Sequence, residues 1–209
     1  MSTRESSWTQ RLRKFVLATN KAAAQEEHVE PRESAPAFAS SRGASSSPTA
    51  QETQTSVMKK GKVAFISGPI DTGPDKAYFH THYVQPINDA IAAGHDFVIG
   101  PILSGVDADA LEYLLNYHIT PSRITIFMTI GEDNAWGKHF REKGVNVHVL
   151  EDRLATTQNR DAAMTAASDY DILRWRTDEE AKEFYGPLYR PGRVTNTERN
   201  WRRRRGLEG

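Results

Sequence analysis

Lys62-Val63-Ala64-Phe65-Ile66-Ser67-Gly68-Pro69-Ile70-Asp71-Thr72-Gly73 decides the reading of this chain: a short β-branched and aromatic run stops abruptly in Gly, Pro, Asp and Gly. That pattern is a buried strand entering a tight turn. The same grammar returns at Asp96-Phe97-Val98-Ile99, which runs into Gly100-Pro101-Ile102-Leu103-Ser104-Gly105-Val106-Asp107 and then a helical pattern. In an open α/β sheet, ligands bind beyond the carboxyl ends of the strands, where backbone must come close and side chains stay small. Two Gly-Pro strand ends therefore predict a shared crevice. Gly68, Pro69 and Asp71 stand on one of its turns, and Gly100, Ser104, Gly105 and Asp107 on the other.

Downstream, apolar segments alternate between strand-like and helix-like periods. Tyr78, Tyr83, Ile87, Ile91 and Ala92 give a helical stripe, in which Pro86 implies a kink or a start in mid-segment, and Gly94 closes it. A helix from Val106 to Tyr117 follows the second strand, with Ala110, Leu111, Leu114 and Leu115 on its apolar side. Ile124, Ile126, Phe127 and Met128 predict a third strand, Asp133 to Lys143 a short helix closed by Gly144, and Val145, Val147 and Val149 a fourth strand. A helix from Leu154 to Ser168 precedes a fifth strand from Tyr170 to Trp175, and a loop from Gly186 to Thr195 precedes a terminal helix from Asn196. Strands and helices alternating at this spacing imply right-handed crossovers and a sheet covered on both faces. The expected fold is α/β: a Rossmann- or flavodoxin-like three-layer sandwich with a mostly parallel five-stranded sheet.

The domain is expected over 58–205, between an N-terminal segment 1–57 and a tail 206–209. From Glu26 to Thr55 the chain is mostly Ser, Ala, Pro, Glu, Gln and Thr, too polar to offset its ordering entropy by burial. Before that, Trp8, Leu12, Phe15 and Val16 lie at helical spacing among Arg4, Arg11, Arg13, Lys14 and Lys21. Two readings stay open there, a disordered tail with a marginal helix and a mitochondrial presequence. Lys+Arg and Asp+Glu both number 27, so no global field recruits nucleic acid or an anionic membrane. The absence of Cys removes disulfides, thiolate nucleophiles and Cys-based zinc sites, and no apolar run is long enough to span a bilayer. The expectation is a soluble protein, cytoplasmic or else mitochondrial, with no membrane partner and no specific nucleic-acid binding.

Ser104 or Gly105 can cap the second helix and turn its first N–H groups into the crevice. Asp107 in that first turn either receives ribose hydroxyls or simply stabilises the helix start. No Gly-Lys-Ser/Thr follows, so this is not a P-loop. His80 and His82 are two apart on a helix and do not share a face, while His118, His139 and His148 lack a spacing partner, so no metal is expected. Ser67 and Ser104 lack an identifiable base, and no cofactor is expected. The run Arg202-Arg203-Arg204-Arg205 reads as a solvated tail.

Taken in order, these pieces resemble the SLOG superfamily, the Rossmann-like nucleotide-binding domains related to DprA and to the LOG-type nucleoside-monophosphate phosphoribohydrolases. The pieces are Ser67-Gly68, Gly105-Val106-Asp107-Ala108 opening a helix, Asn159-Arg160 with Met164, Asp169 before a strand, and a Gly/Thr/Asn turn before a final helix. The resemblance runs from Lys62 to Arg204 and implies a nucleotide or nucleotide-derived ligand over the strand ends, near Gly68, Gly105, Asp107, Arg160 and Thr195. LOG-type enzymes carry a Gly-rich phosphate loop and a catalytic Glu. Here Pro191-Gly192-Arg193-Val194-Thr195-Asn196-Thr197-Glu198 echoes that loop with glycines missing and spacing shortened. Arg193 stands where backbone should approach phosphate, so it either supplies a charged contact or marks the loss of the loop.

Nucleoside 2-deoxyribosyltransferases are also similar at the start, with a strand, Gly-Pro and a helix bearing Tyr. Their chemistry needs a carboxylate at the anomeric carbon to stabilise or capture an oxocarbenium-like state. Asp71, Asp75, Asp107 and Glu112 are the acids near the strand ends. Glu112 and Glu198 are the candidate catalytic residues, with an exposed helix Glu as the alternative for Glu112. Arg160 is either a solvated helix charge or a planar fork for phosphate or ribose. The expected function is binding of a small-molecule nucleotide or nucleoside, with a homo-oligomer compatible. The alternatives are an N-glycosidase or deoxyribosyltransferase, and a non-enzymatic interaction domain.

Overall fold

The computed structural model describes residues 61–207. The segment 1–57, with both readings made of it, and the last two residues of the 206–209 tail lie outside the described residues. Five strands, β1 (Val63–Ser67), β2 (Asp96–Ile99), β3 (Ile124–Met128), β4 (Asn146–Val149) and β5 (Tyr170–Leu173), form one sheet in the order β4-β3-β2-β1-β5. Every neighbouring pair is parallel, so the expected α/β sheet is parallel throughout. The chain winds outward from β1 to β4, then crosses back to lay β5 on the other side of β1. That reversal makes the β1–β5 seam the topological switch point of the sheet.

Among the described residues, seven helices connect and cover the strands, besides short 3-10 turns. They are α1 (Ala77–His82), α2 (Val84–Ala92), α3 (Gly105–Asn116), α4, α5 (Thr157–Ala166), α6 (Asp178–Tyr185) and α7 (Asn196–Arg204). Within α4, Ile130–Glu132 and Lys138–Glu142 flank a π-helical turn, Asp133–Gly137. Pro86 falls in the first turn of α2, where a missing N–H breaks no helical bond, and the stripe expected there restarts after Tyr83. The fifth strand ends at Leu173, earlier than expected, and α6 is a helix beyond those expected. Thr177 opens α6 by a capping box with Glu180.

Strand alternation explains the two faces. One register row crosses all five strands as Val147, Ile126, Ile99, Ile66 and Ile172, and it packs with Phe79, Tyr83, Ile87, Val106, Leu114 and Phe140 from α1 to α4. The row beneath it points to the opposite face and reads Asn146, Thr125, Val98, Phe65 and Asp171. Only its middle is apolar. Phe65, Val98 and Phe127 meet Met164 of α5 there, and polar side chains must hold the rest of that layer. At the edge, Arg204 of α7 pairs with Asp171 at 2.8 Å and donates to the Ser168 carbonyl at 2.7 Å.

The seam is closed by one buried hydroxyl. Tyr83 is 1% exposed, and its Oη lies 2.9 Å from the Ser67 carbonyl and 2.8 Å from the Arg174 carbonyl. It also accepts the Arg174 N–H at 2.9 Å, so a single side chain from the α1–α2 junction ties the end of β1 to the segment after β5. Burial raises the Tyr83 phenol far above its ordinary range, and the group acts as a neutral clasp.

Candidate functional site

The carboxyl ends of β1, β2 and β3 converge with the first turns of α3, α4, α5 and α7. Val106 donates its N–H to the Pro69 carbonyl at 3.0 Å, which locks the start of α3 onto the turn after β1. Thr197, 5% exposed, brings the first turn of α7 to the end of β1, its Oγ1 lying 3.4 Å from Ser67 Oγ. Thr129 caps α4 through a reciprocal bond with Glu132, and Thr156 caps α5 in the same way with Asn159.

Arg160 sits at the centre of the polar layer, 5% exposed. Its Nη2 and Nε donate to Asp161 Oδ1 at 2.8 and 3.2 Å, and its Nη1 donates to Glu132. Glu132 uses its other oxygen to accept the Thr129 N–H at 2.8 Å, and Asn200 of α7 reaches Asp161 Oδ2 at 3.4 Å. One guanidinium therefore keys α4 and α5 directly and α7 through Asp161. The reading of Arg160 as a solvated helix charge is overturned: the second face lacks apolar side chains here, and a paired cation fills the layer. Burial alone would lower the Arg160 pKa, but Asp161, Glu132 and Asp107 outweigh it and raise it.

Asp107 is the third acid of this cluster. Its carboxylate lies over Gly100 at the end of β2, so closely that a Cβ on Gly100 would overlap it. Burial pushes the Asp107 carboxyl up to about 7; Arg160 opposes that shift, and Asp161 and Glu132 add to it. Three carboxylates face one guanidinium. Burial thus brings the Asp107 carboxyl toward neutrality, the property required of a general acid or base.

A folded-state pKa above the unfolded one means the native state holds the extra proton between about pH 4 and 7, so stability falls as pH rises through that window. The expected result for Asp107→Asn is a protein more resistant to denaturant than wild type at pH 8, with the advantage shrinking toward pH 4. Urea midpoints at pH 4.5, 6 and 8 check this, and equal slopes for the two proteins would refute it.

The glycines of the two turns have causes inside the protein. A Cβ on Gly68 would meet Val106 Cγ2 at 2.5 Å and crowd the Tyr83 hydroxyl, and one on Gly105 would strike the Pro69 carbonyl and reach Ile70 Cα at 2.5 Å. Ser104 takes the N-cap position of α3 in an extended conformation, with no capping bond from its side chain. Asp71 is exposed and accepts the Gly73 N–H at 2.8 Å. Pro69 lies beside it with its carbonyl bound by Val106.

Thr195 caps α7, accepting the Glu198 N–H at 3.1 Å, while Glu198 pairs with Arg202 at 2.6 Å. Arg193 is exposed in the preceding loop. Glu112 leaves 62% of its side chain exposed and pairs with Lys76 at 2.9 Å, outside the Arg160 cluster. Gly68, Gly100, Gly105, Asp107 and Arg160 are thus brought to one end of the sheet, and Glu112 is not part of their bonded network.

Glu132, Asp161 and Asn200 belong to the cluster and were not singled out by sequence. Thr129-Ile130-Gly131-Glu132 is a readable capping box, but nothing in it signals that Glu132 also binds Arg160. Arg160 and Asp161 are adjacent on a helix, a spacing that gives no sequence signal for pairing. Among the described residues no group of three or more His, Cys, Asp or Glu is arranged to hold a metal ion, and no helix is long and apolar enough to cross a membrane. A recess of about 510 Å³ runs along α2 and β5, lined by Lys62, His82, Asp89, His95 and Tyr170. None of the cluster residues lines it. Compared with family models, with curated proteins and with solved structures, the chain matches none of them.

Proposed function

We propose that the carboxyl end of this sheet binds a nucleotide or nucleotide-derived ligand, with the sugar toward the β2–β3 ends and the phosphate toward the β1–β5 seam. The observation that carries the reading is the charge arrangement: Asp107, Glu132 and Asp161 gather around Arg160 to one side of the switch point, and Arg203 reaches the cluster through Asn200, at 2.8 Å. Carboxylates gathered in this way accept hydroxyl donors, as a ribose supplies. The doubly wound order supports the same reading, since ligands of this fold lie where the strand order reverses.

A second reading, cleavage of the base–sugar bond, is favoured by the near-neutral pKa of Asp107 in this cluster. A carboxyl poised there can protonate a departing base, while an ionised neighbour stabilises positive charge at the anomeric carbon. The test is to incubate the full chain with the common nucleosides and their monophosphates, measuring binding calorimetrically and free base by chromatography. The expected result is saturable binding of at least one compound. Base release that disappears in Asp107→Asn supports the enzyme reading, binding without release supports the binding module alone, and absence of both refutes the proposal.

A further inference from the structure

Arg176 follows β5 by three residues and lies at the seam. It is 9% exposed, and its Nη2 donates to the Asp71 carbonyl at 2.8 Å, on the turn after β1. Its guanidinium carbon lies 3.8 Å from the centre of the Phe184 ring and 4.6 Å from that of Tyr78, with Tyr185 at 5.7 Å. The rings stabilise the charge through their faces. Its Nη1, however, is buried with no hydrogen-bond partner.

Neighbouring arginines do not share that condition. Arg160 is held by Glu132 and Asp161, Arg174 by Glu180 at 2.6 Å, and Arg204 by Asp171. Arg176 alone of these four meets only a neutral acceptor. A buried cation with one unmet donor is costly. The orphan donor sits beside the switch point, where the crevice rule places ligands, and on the side of β1 away from the acid cluster. Parallel strands are spaced about 4.8 Å apart, so the ends of β5 and β2 lie roughly 10 Å apart across β1.

We infer that Arg176 is the anion-recognition residue of this site, its Nη1 donating to a phosphate oxygen of the ligand; this rests on the nucleotide reading above. Phe184 and Tyr185, the rings of α6 nearest this guanidinium, are 39% and 40% exposed on a helix with no buried residue. A guanidinium already fixed by two rings and one carbonyl gives up little freedom on binding. Its planar fork suits phosphate, whereas lysine in its place would keep the charge and lose the geometry.

The experiment uses the full chain with three probes: inorganic phosphate, a nucleoside monophosphate, and the same nucleoside, run for each of the four common bases. The expected result is that wild type binds one monophosphate at least about tenfold more tightly than its nucleoside, and that Arg176→Gln abolishes the difference between the two. Arg176→Lys is expected to recover only part of it. Because the Gln variant can lose stability, the side-chain NMR signal of Arg176 Nε in wild type is followed as phosphate is added, and a saturable shift is expected. Nucleoside binding with no phosphate preference, or a preference that survives Arg176→Gln, overturns the inference and leaves the site reading intact. A phosphate response that depends on Arg176 with no nucleoside binding upholds the anion site and refutes the nucleotide reading, and a silent Nε signal with no binding of any probe overturns both.

Discussion

Arg160→Ala is expected to destabilise the domain by about 3–5 kcal/mol, lowering its melting temperature by on the order of 10 °C. The cause is what the substitution leaves behind. With the guanidinium gone, Glu132 and Asp161 lose their shared counter-charge in a layer where Arg160 is 5% exposed, and Asp107 loses the cation opposing its burial. The carboxylates are left close together and poorly solvated, so the loss should be largest at pH 8 and should ease toward pH 5, where the orphaned acids can take up protons. Arg160→Lys restores the charge but not the two-sided geometry, and an intermediate loss is expected. Melting curves at the two pH values decide the matter: a change below about 0.5 kcal/mol at both would mean that Arg160 behaves as a surface charge.

Gly105→Ala is expected to cost about 4 kcal/mol, more than a glycine at a helix start would suggest. Gly105 has φ of +63°, a conformation that costs an ordinary residue about 1–3 kcal/mol. A methyl group there would also press on the Pro69 carbonyl and the Ile70 backbone, and backbone held by the Val106 N–H at 3.0 Å cannot swing aside as a side chain would. Overpacking of that kind adds about 1–3 kcal/mol. Because the clash lies between the turns after β1 and β2, the same substitution should also weaken any ligand bound at the strand ends. Gly192→Ala is the control, since that residue also has a positive φ, of 73°, but nothing lies within 4 Å of an added Cβ. Denaturant midpoints for the two variants should differ by roughly the overpacking contribution, and equal losses would show that backbone conformation alone explains Gly105.

The five strands were legible in the sequence because their periodicity is local. Ile66, Ile99 and Ile126 alternate with Phe65, Val98 and Phe127 on two faces of a sheet, and that alternation needs no knowledge of neighbours. The glycines of the two turns were legible as well, but their cause was not. Gly68 and Gly105 read as places for a ligand to approach, whereas the atoms that fill the space are Tyr83, Val106, Pro69 and Ile70 of the protein itself.

By itself, the sequence determined an alternating α/β chain with two Gly-Pro strand ends. Only the tertiary structure decided which charges meet there. Glu132 and Arg160 are 28 positions apart, Asp71 and Arg176 are 105 apart, and neither pairing leaves a periodic trace in a single chain. The strand order decided it: by returning across the sheet to the far side of β1, the chain brings β5 and Arg176 to the seam and lays α5 with Arg160 on the face that has too few apolar side chains. Hydrophobic patterning acts over neighbouring residues, while a charge is placed by the path of the whole backbone.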